Sequence, residues 1–240
     1  MGDINKIAVV YGGSSSEREI SIQSGEGVYK AIIELGYVAD LIEINDLEDL
    51  SELKVFDFIF IALHGFEGEG GKLQKDLDDL NILYSGSSSK CCKNTWNKKL
   101  TKEILEQSNI STPIWSVVNK LPSYDSPNAK LSDPFFDKFR PFEAIFLKPQ
   151  EDGSSIDIFK ITNENSNKKA IQACLNPNRA FIYEEYINGK EFTVTIIDNI
   201  CLPPIEIISN NEFYDYDAKY HSDETLLIEA KLTKKELNEI

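Results

Sequence analysis

In the stretch "FDFIFIAL" (residues 56–63) every position but Asp57 is apolar. A strand with one wet face alternates apolar and polar residues, so such a run suits a strand covered on both faces, as in a parallel sheet. The residues before it obey the same logic. Ile7 to Tyr11 form a short apolar run ending in Gly12-Gly13 and three serines. Ile22, Gly25, Val28, Tyr29, Ile32 and Leu35 then recur at helical spacing, with Gly36 as a C-terminal cap. A second strand is expected from Val38 to Ile44, a short helix over Leu73, Leu77 and Leu80, and a fourth strand in "ILYSG". This alternation predicts a doubly wound α/β domain with a parallel sheet over residues 4 to 88.

The pattern then changes. A helix is expected at 96–108, followed by a stretch rich in Pro, Ser, Asp and Asn at 119–141 that reads as a mobile connection. Strands at 143–148 and 156–161 flank the loop of "LKPQEDGSSIDIFK", and a helix at 167–175 follows. The short connections here suit antiparallel pairing. "AFIYEEYI" and "KEFTVTIID" are joined by Asn188-Gly189, a strong hairpin signal. The chain of 240 residues therefore divides into three blocks, 1–88, 89–178 and 179–240.

Composition narrows the function. Lys plus Arg number 25 against 40 Asp plus Glu, a net charge of −15. Sequence-independent nucleic-acid binding needs a basic face and is excluded; a nucleotide held in a local pocket is not. Cys91, Cys92, Cys174 and Cys201 contain no CxxC pair, which argues against a zinc site or a disulfide framework. No apolar stretch is long enough for a signal peptide or a bilayer span, so no membrane role and a cytoplasmic location are expected.

Four places could carry chemistry. "GGSSSEREIS" stands between a strand and a helix, where backbone N–H groups attract anions; it also reads as an ordinary capped turn. Glu17 within it suits the helix dipole, or a ligand's ammonium group. His64 ends the third strand and precedes four glycines in seven residues, at the sheet edge where α/β ligands bind, although a lone histidine is often structural. The 147–160 loop is a plain turn, or a hairpin tip that folds over phosphates with Lys148 as a point charge; its spacing is not that of a Walker loop. "EFYDYDAKY" (212–220) is an aromatic surface loop or a lid.

Taken together, "KIAVVYGGSSSEREISIQSG", "FIALHGFEGEGGKLQ", "LKPQEDGSS", "YEEYINGKEFTV", "LPPIEI" and "EFYDYDAKYHSDET" resemble the D-alanine–D-alanine ligases of the ATP-grasp superfamily, in order and spacing. The resemblance implies an ATP-grasp fold (α+β, antiparallel sheets) after the first domain. It also implies ATP-dependent ligation of two D-alanines through an acylphosphate, for peptidoglycan synthesis, with magnesium and a homodimeric assembly. Gly153, Ser154 and Ser155 would form the loop over the ATP phosphates, with Lys98 and Lys148 as the phosphate-contacting lysines. Glu184 and the backbone of Glu185 to Ile187 would meet the adenine, and Glu191 the ribose. Glu17, Ser154 and Tyr220 would form a hydrogen-bonded trio tying the lid to both domains. Glu17 would also hold the first alanine's ammonium, His64 would lie near the reacting carboxylate, and Lys219 would reach the transferred phosphate. A different second substrate, or a domain that binds nucleotide without turnover, are the alternatives.

Three departures stand out. Trp96-Asn97 precedes Lys98 where the family usually has Met-Asp, and Asp157 stands where it usually has Gly. "LTKKELNEI" opens a helix with Thr233 as N-cap and Glu236 completing a capping box, and the sequence then stops. No stretch resembles "RvDf" or "EiNtsPG", which carry the family's magnesium ligands, so the C-terminal part reads as incomplete and low turnover is expected.

Overall fold

The central strand of the first sheet, β1 (Lys6–Tyr11), is apolar on both faces because both faces are covered. Its Ala8 and Val10 pack with Leu53, Ile59 and Leu77, while Ile7 and Val9 pack with Ile32, Ala39 and Ala62. After α1 (Arg18–Glu34) come β2 (Val38–Glu43) and β3 (Phe58–Ile61), both parallel to β1 in the order β2-β1-β3. This computed structural model describes residues 4–118, 142–162, 168–174, 176, 178–209, 219 and 224–237. The expected connection at 119–141, Tyr220 and all of the 212–220 lid except Lys219 lie outside the described residues.

Two short helices, α2 (Phe66–Glu69) and α3 (Lys72–Asp79), follow β3. The expected strand "ILYSG" is reduced to one parallel bridge, Ile59 with Tyr84. Its backbone bonds are Ile59 N–H to Leu83 O at 2.8 Å and Ser85 N–H to Ile59 O at 2.9 Å. The ladder goes no further because the Ser85 hydroxyl, at 2.9 Å, takes the N–H of Ile61 that a longer strand would have used.

Helices α4 (Ser89–Trp96) and α5 (Lys98–Gln107) open the second block. Strands β4 (Trp115–Val117), β5 (Ala144–Pro149) and β6 (Phe159–Thr162), helix α6 (Lys168–Cys174) and strand β7 (Phe181–Glu185) complete it. The strands form an antiparallel sheet ordered β4-β7-β5-β6. Ile145, Leu147, Ile161, Phe181 and Tyr183 pack on Ala170 and Cys174 of α6.

The last block holds β8 (Glu191–Thr193), β9 (Ile196–Ile197), β10 (Ile200–Cys201), β11 (Ile205–Ile208), β12 (Leu226–Glu229) and α7 (Lys234–Leu237). The hairpin expected at Asn188-Gly189 does not form. Both edges of β7 are taken, by β4 and β5, so β8 pairs instead with β11 in a sheet ordered β12-β11-β8. The tight hairpin lies ten residues on, where Asp198 (φ 49°) and Asn199 (φ 63°) join β9 to β10 with the two left-handed residues such a turn requires. At α7 the capping box is present: Thr233 N–H donates to Glu236 Oε2 at 2.8 Å and Glu236 N–H to Thr233 Oγ1 at 3.3 Å. All four cysteines are free thiols, and among the described residues no helix is long and apolar enough to cross a membrane.

Candidate active site

The chain leaves β1 through Gly12 (φ 89°) and Gly13 (φ 85°). A side chain at Gly13 would sit 2.2 Å from Glu67 Oε2, so only glycine fits under that carboxylate. Glu67 is there because it accepts both the N–H of Ser14 at 2.6 Å and its hydroxyl at 2.8 Å. Ser21, fully buried on α1, ties the two strand ends together: it accepts from Gly12 N–H at 2.9 Å and donates to Ala62 O at 2.9 Å. The loops after β1 and β3 are thereby held as one surface.

Glu17 and His64 stand on it. Glu17 is only 4% exposed and its side chain does not cap α1. Its carboxylate accepts instead from the hydroxyl of Ser154, 137 residues away, and would lie 3.2 Å from a side chain at Gly153 or Gly65. His64 Nε2 is 3.0 Å from Ser24 Oγ of α1, and its carbonyl accepts from Ser15 Oγ at 3.1 Å. Glu69 closes this corner: burial, and the nearby charge of Glu17, raise its carboxyl above the usual range despite the Gly65 N–H and His64.

The hairpin between β5 and β6 reaches Glu17 from the other side. Ser154 (φ 52°), Ser155 (φ 61°) and Asp157 (φ 52°) all adopt left-handed backbone. Such conformations in non-glycine residues persist where the surroundings over-determine them, and they cluster at ligand-binding turns. Here Lys98 supplies part of the hold, donating from its Nζ to Asp152 O at 2.7 Å and from its N–H to Gln150 O at 2.8 Å. The departures from the family pattern also acquire roles. Asn97 caps α5, accepting from Leu100 N–H at 3.1 Å, and donates to Glu151 Oε1 at 2.8 Å. Trp96 spans the gap between Phe66, at a ring separation of 6.1 Å, and the neighbourhood of Gly153.

Beneath the hairpin lies a buried cluster of charge. Glu184 on β7 receives Lys102 Nζ on one oxygen and Lys148 Nζ on the other, each at 2.6 Å, and Lys102 also donates to Thr112 Oγ1 at 2.7 Å. Burial alone would raise Glu184, but Lys148 and then Lys102 outweigh it and hold the carboxyl below its ordinary value. Lys98 goes the other way. Burial, and then the like charge of Lys148, push it down to about 8, against the attraction of Asp152 and Glu184. Lys219 is close enough to add to that repulsion.

The structure therefore gathers Glu17, Gly153, Ser154, Lys98, Lys148 and Glu184, with His64 at the edge. Glu185 and its neighbours are placed differently. The N–H of Glu185 donates to Ile114 O at 2.8 Å and that of Tyr186 to Ala144 O at 3.2 Å, so both belong to the sheet. Ile187 and Glu191 are exposed at the rim where the chain passes from one antiparallel sheet to the other. Sequence reasoning missed Lys102, Ser24 and Arg179. Lys102 follows Lys98 by one helical turn, which was the available signal for it.

Two antiparallel sheets in succession, with a serine-tipped hairpin held against Lys98 and Lys148 below it, have the arrangement of an ATP-grasp protein. The family profile described as the D-ala D-ala ligase C-terminus matches residues 130–240. The D-alanine–D-alanine ligase of Haemophilus ducreyi is 37% identical over 239 residues, covering 98% of this chain and 75% of that protein. D-alanine–D-alanine ligase B of Clostridium perfringens is 32% identical over 98% of this chain and 75% of its own length. The Bacillus anthracis ligase, solved in complex with ATP, superimposes with a TM-score of 0.77 at 28% identity, over 98% of this chain and 74% of that one. The chain belongs to the D-alanine–D-alanine ligase family.

Proposed function

We propose that this chain is an ATP-dependent ligase that joins two D-alanines. The observation that carries the reading is the meeting of Glu17 with Ser154, which closes the hairpin directly above Lys98 and Lys148. A carboxylate and an amine do not condense unaided in water, because an oxide is a poor leaving group. Transfer of the terminal phosphoryl group of ATP to the first D-alanine makes an acylphosphate and ADP. Attack by the second D-alanine's amine at the carbonyl then forms the amide and expels inorganic phosphate. Lys148 and Lys98 offset the phosphoryl charge, and the N–H groups and hydroxyls of Gly153, Ser154 and Ser155 cover it. Glu17 receives the first alanine's ammonium, and His64 lies beside its carboxylate.

In this reading Glu184 and the chain as far as Ile187 stand on the adenine side, with the N–H groups of Glu185 and Tyr186 already used by the sheet; Glu191 faces the ribose, and Lys219 approaches the transferred phosphate. The reading extends to three structural units at 1–88, 89–178 and 179–240, the first of them doubly wound, as the apolar clusters on both faces of its sheet support. Action in the cytoplasm as a homodimer, supplying peptidoglycan precursors, belongs to the same reading. Among the described residues no three His, Cys, Asp or Glu side chains converge to hold a metal ion such as magnesium.

The test is incubation with ATP and D-alanine whose carboxylate carries oxygen-18. The expected products are ADP, D-alanyl-D-alanine and inorganic phosphate that has gained one labelled oxygen. ATP loss without dipeptide, or unlabelled phosphate, would overturn the mechanism. Parallel incubations with D-serine or D-lactate as second substrate check the choice of nucleophile.

A further inference from the structure

Arg179, in the turn between α6 and β7, touches none of the groups that carry that chemistry. Its Nη1 donates to Asp157 Oδ2 and its Nη2 to Asp152 Oδ2, while the guanidinium lies 5.5 Å from the Phe181 ring. Its own N–H donates to Asn176 O at 3.2 Å, which seats the residue in its turn. The two aspartates are the shoulders of the hairpin: Asp152 precedes Gly153 and Asp157 follows Ser155 by two residues.

Asp157 has a left-handed backbone (φ 52°), a conformation glycine adopts without steric cost. An aspartate there has no conformational advantage over glycine, and its charge would oppose a phosphate held at Ser154. Both drawbacks are offset if the carboxylate is the far end of a tie. A planar guanidinium can hold two carboxylates at once in fixed geometry, which an ammonium cannot match.

We propose that Arg179 is a positioning residue for the phosphate-binding hairpin, cross-tying Asp152 and Asp157 so that the neck of the loop stays narrow and their charge is screened from the nucleotide. With the neck fixed, Asp152 O stays in place for Lys98 Nζ, and Ser154 stays within reach of Glu17. The inference rests on the nucleotide-binding reading of this hairpin.

The experiment measures ADP affinity by calorimetry, and amide exchange over residues 150–158 in the nucleotide-free protein, for Arg179→Ala in two backgrounds. In the otherwise unaltered chain, R179A should weaken ADP by about fivefold to thirtyfold and speed exchange at 153–157, leaving exchange in β1 and α1 unchanged. In a D152N/D157N background the same change should cost less than about twofold, because nothing is left to tie. An equal penalty in both backgrounds would overturn the proposal, since Arg179 would then act only through Phe181. Should R179A not fold, R179K carries the test: it should keep part of the affinity while losing the loop's protection, and full protection would count against the tie. If the unaltered chain fails to bind ADP, the nucleotide reading falls, and the exchange measurements still decide whether the tie exists.

Discussion

Lys98 carries its charge where burial and Lys148 both oppose it, and its pKa of about 8 has a measurable consequence. A phosphate binds the charged form, so ADP affinity should be nearly flat below pH 7. It should fall as pH rises through 8, approaching about tenfold per unit for a single linked proton. Lys98→Met should weaken ADP at pH 7 and abolish the slope; a slope that survives would assign the proton elsewhere. For stability the sign is opposite. The unfolded lysine holds its proton up to its ordinary value, so burying charged Lys98 penalises the folded state in full below pH 8, and that penalty is lifted as pH rises from 8 to about 10.4. Lys102→Met is a second case. It leaves Glu184 buried with Lys148 alone, and urea unfolding should show a loss of about 1–3 kcal/mol, below the 3–5 of a fully orphaned buried charge. Lys98 and Lys148 were legible through the motifs around them. Lys102 was legible only as the residue one helical turn after Lys98, and Arg179 not at all, because the carboxylates each one meets lie more than twenty residues away.

Elements were legible where an apolar run left one solution. β1, β3 and α1 fall where periodicity put them, because a strand buried on both faces cannot trade places with a helix of period 3.6. Asn188-Gly189 misled because turn chemistry is local, whereas strand pairing depends on which edges are already occupied. Gly25 shows the same tension inside an element. Mid-helix glycine costs about 1 kcal/mol relative to alanine, yet a side chain there would lie 2.7 Å from Tyr11 Cβ. Overpacking of about 1–3 kcal/mol outweighs the propensity gained. Gly25→Ala should therefore lower stability by up to about 2 kcal/mol in a urea titration, whereas an exposed helical glycine such as Gly27, with nothing near its missing side chain, should gain from the same change.

At the scale of the molecule, the first block meets the hairpin through Glu17 and Ser154. ADP at 100 times its Kd should add about 2.7 kcal/mol, which for a chain of this size raises Tm by roughly 5–10 °C. Ser154→Ala should leave the ligand-free Tm within about 2 °C but shrink the ADP-induced rise, because the hydroxyl joins parts that each keep their own core. An unchanged rise would mean the contact does not report on the nucleotide. The Lys102–Glu184–Lys148 cluster constrains how such a protein can vary. A single exchange at Glu184 leaves the buried ammonium of Lys102 facing that of half-buried Lys148, and a single exchange at either lysine leaves the carboxylate half-neutralised. Each one-step route away from this arrangement passes through a less stable intermediate. Random libraries built one position at a time will score changes at 102, 148 and 184 as costly, and only those that vary all three together will reach the alternatives on equal terms.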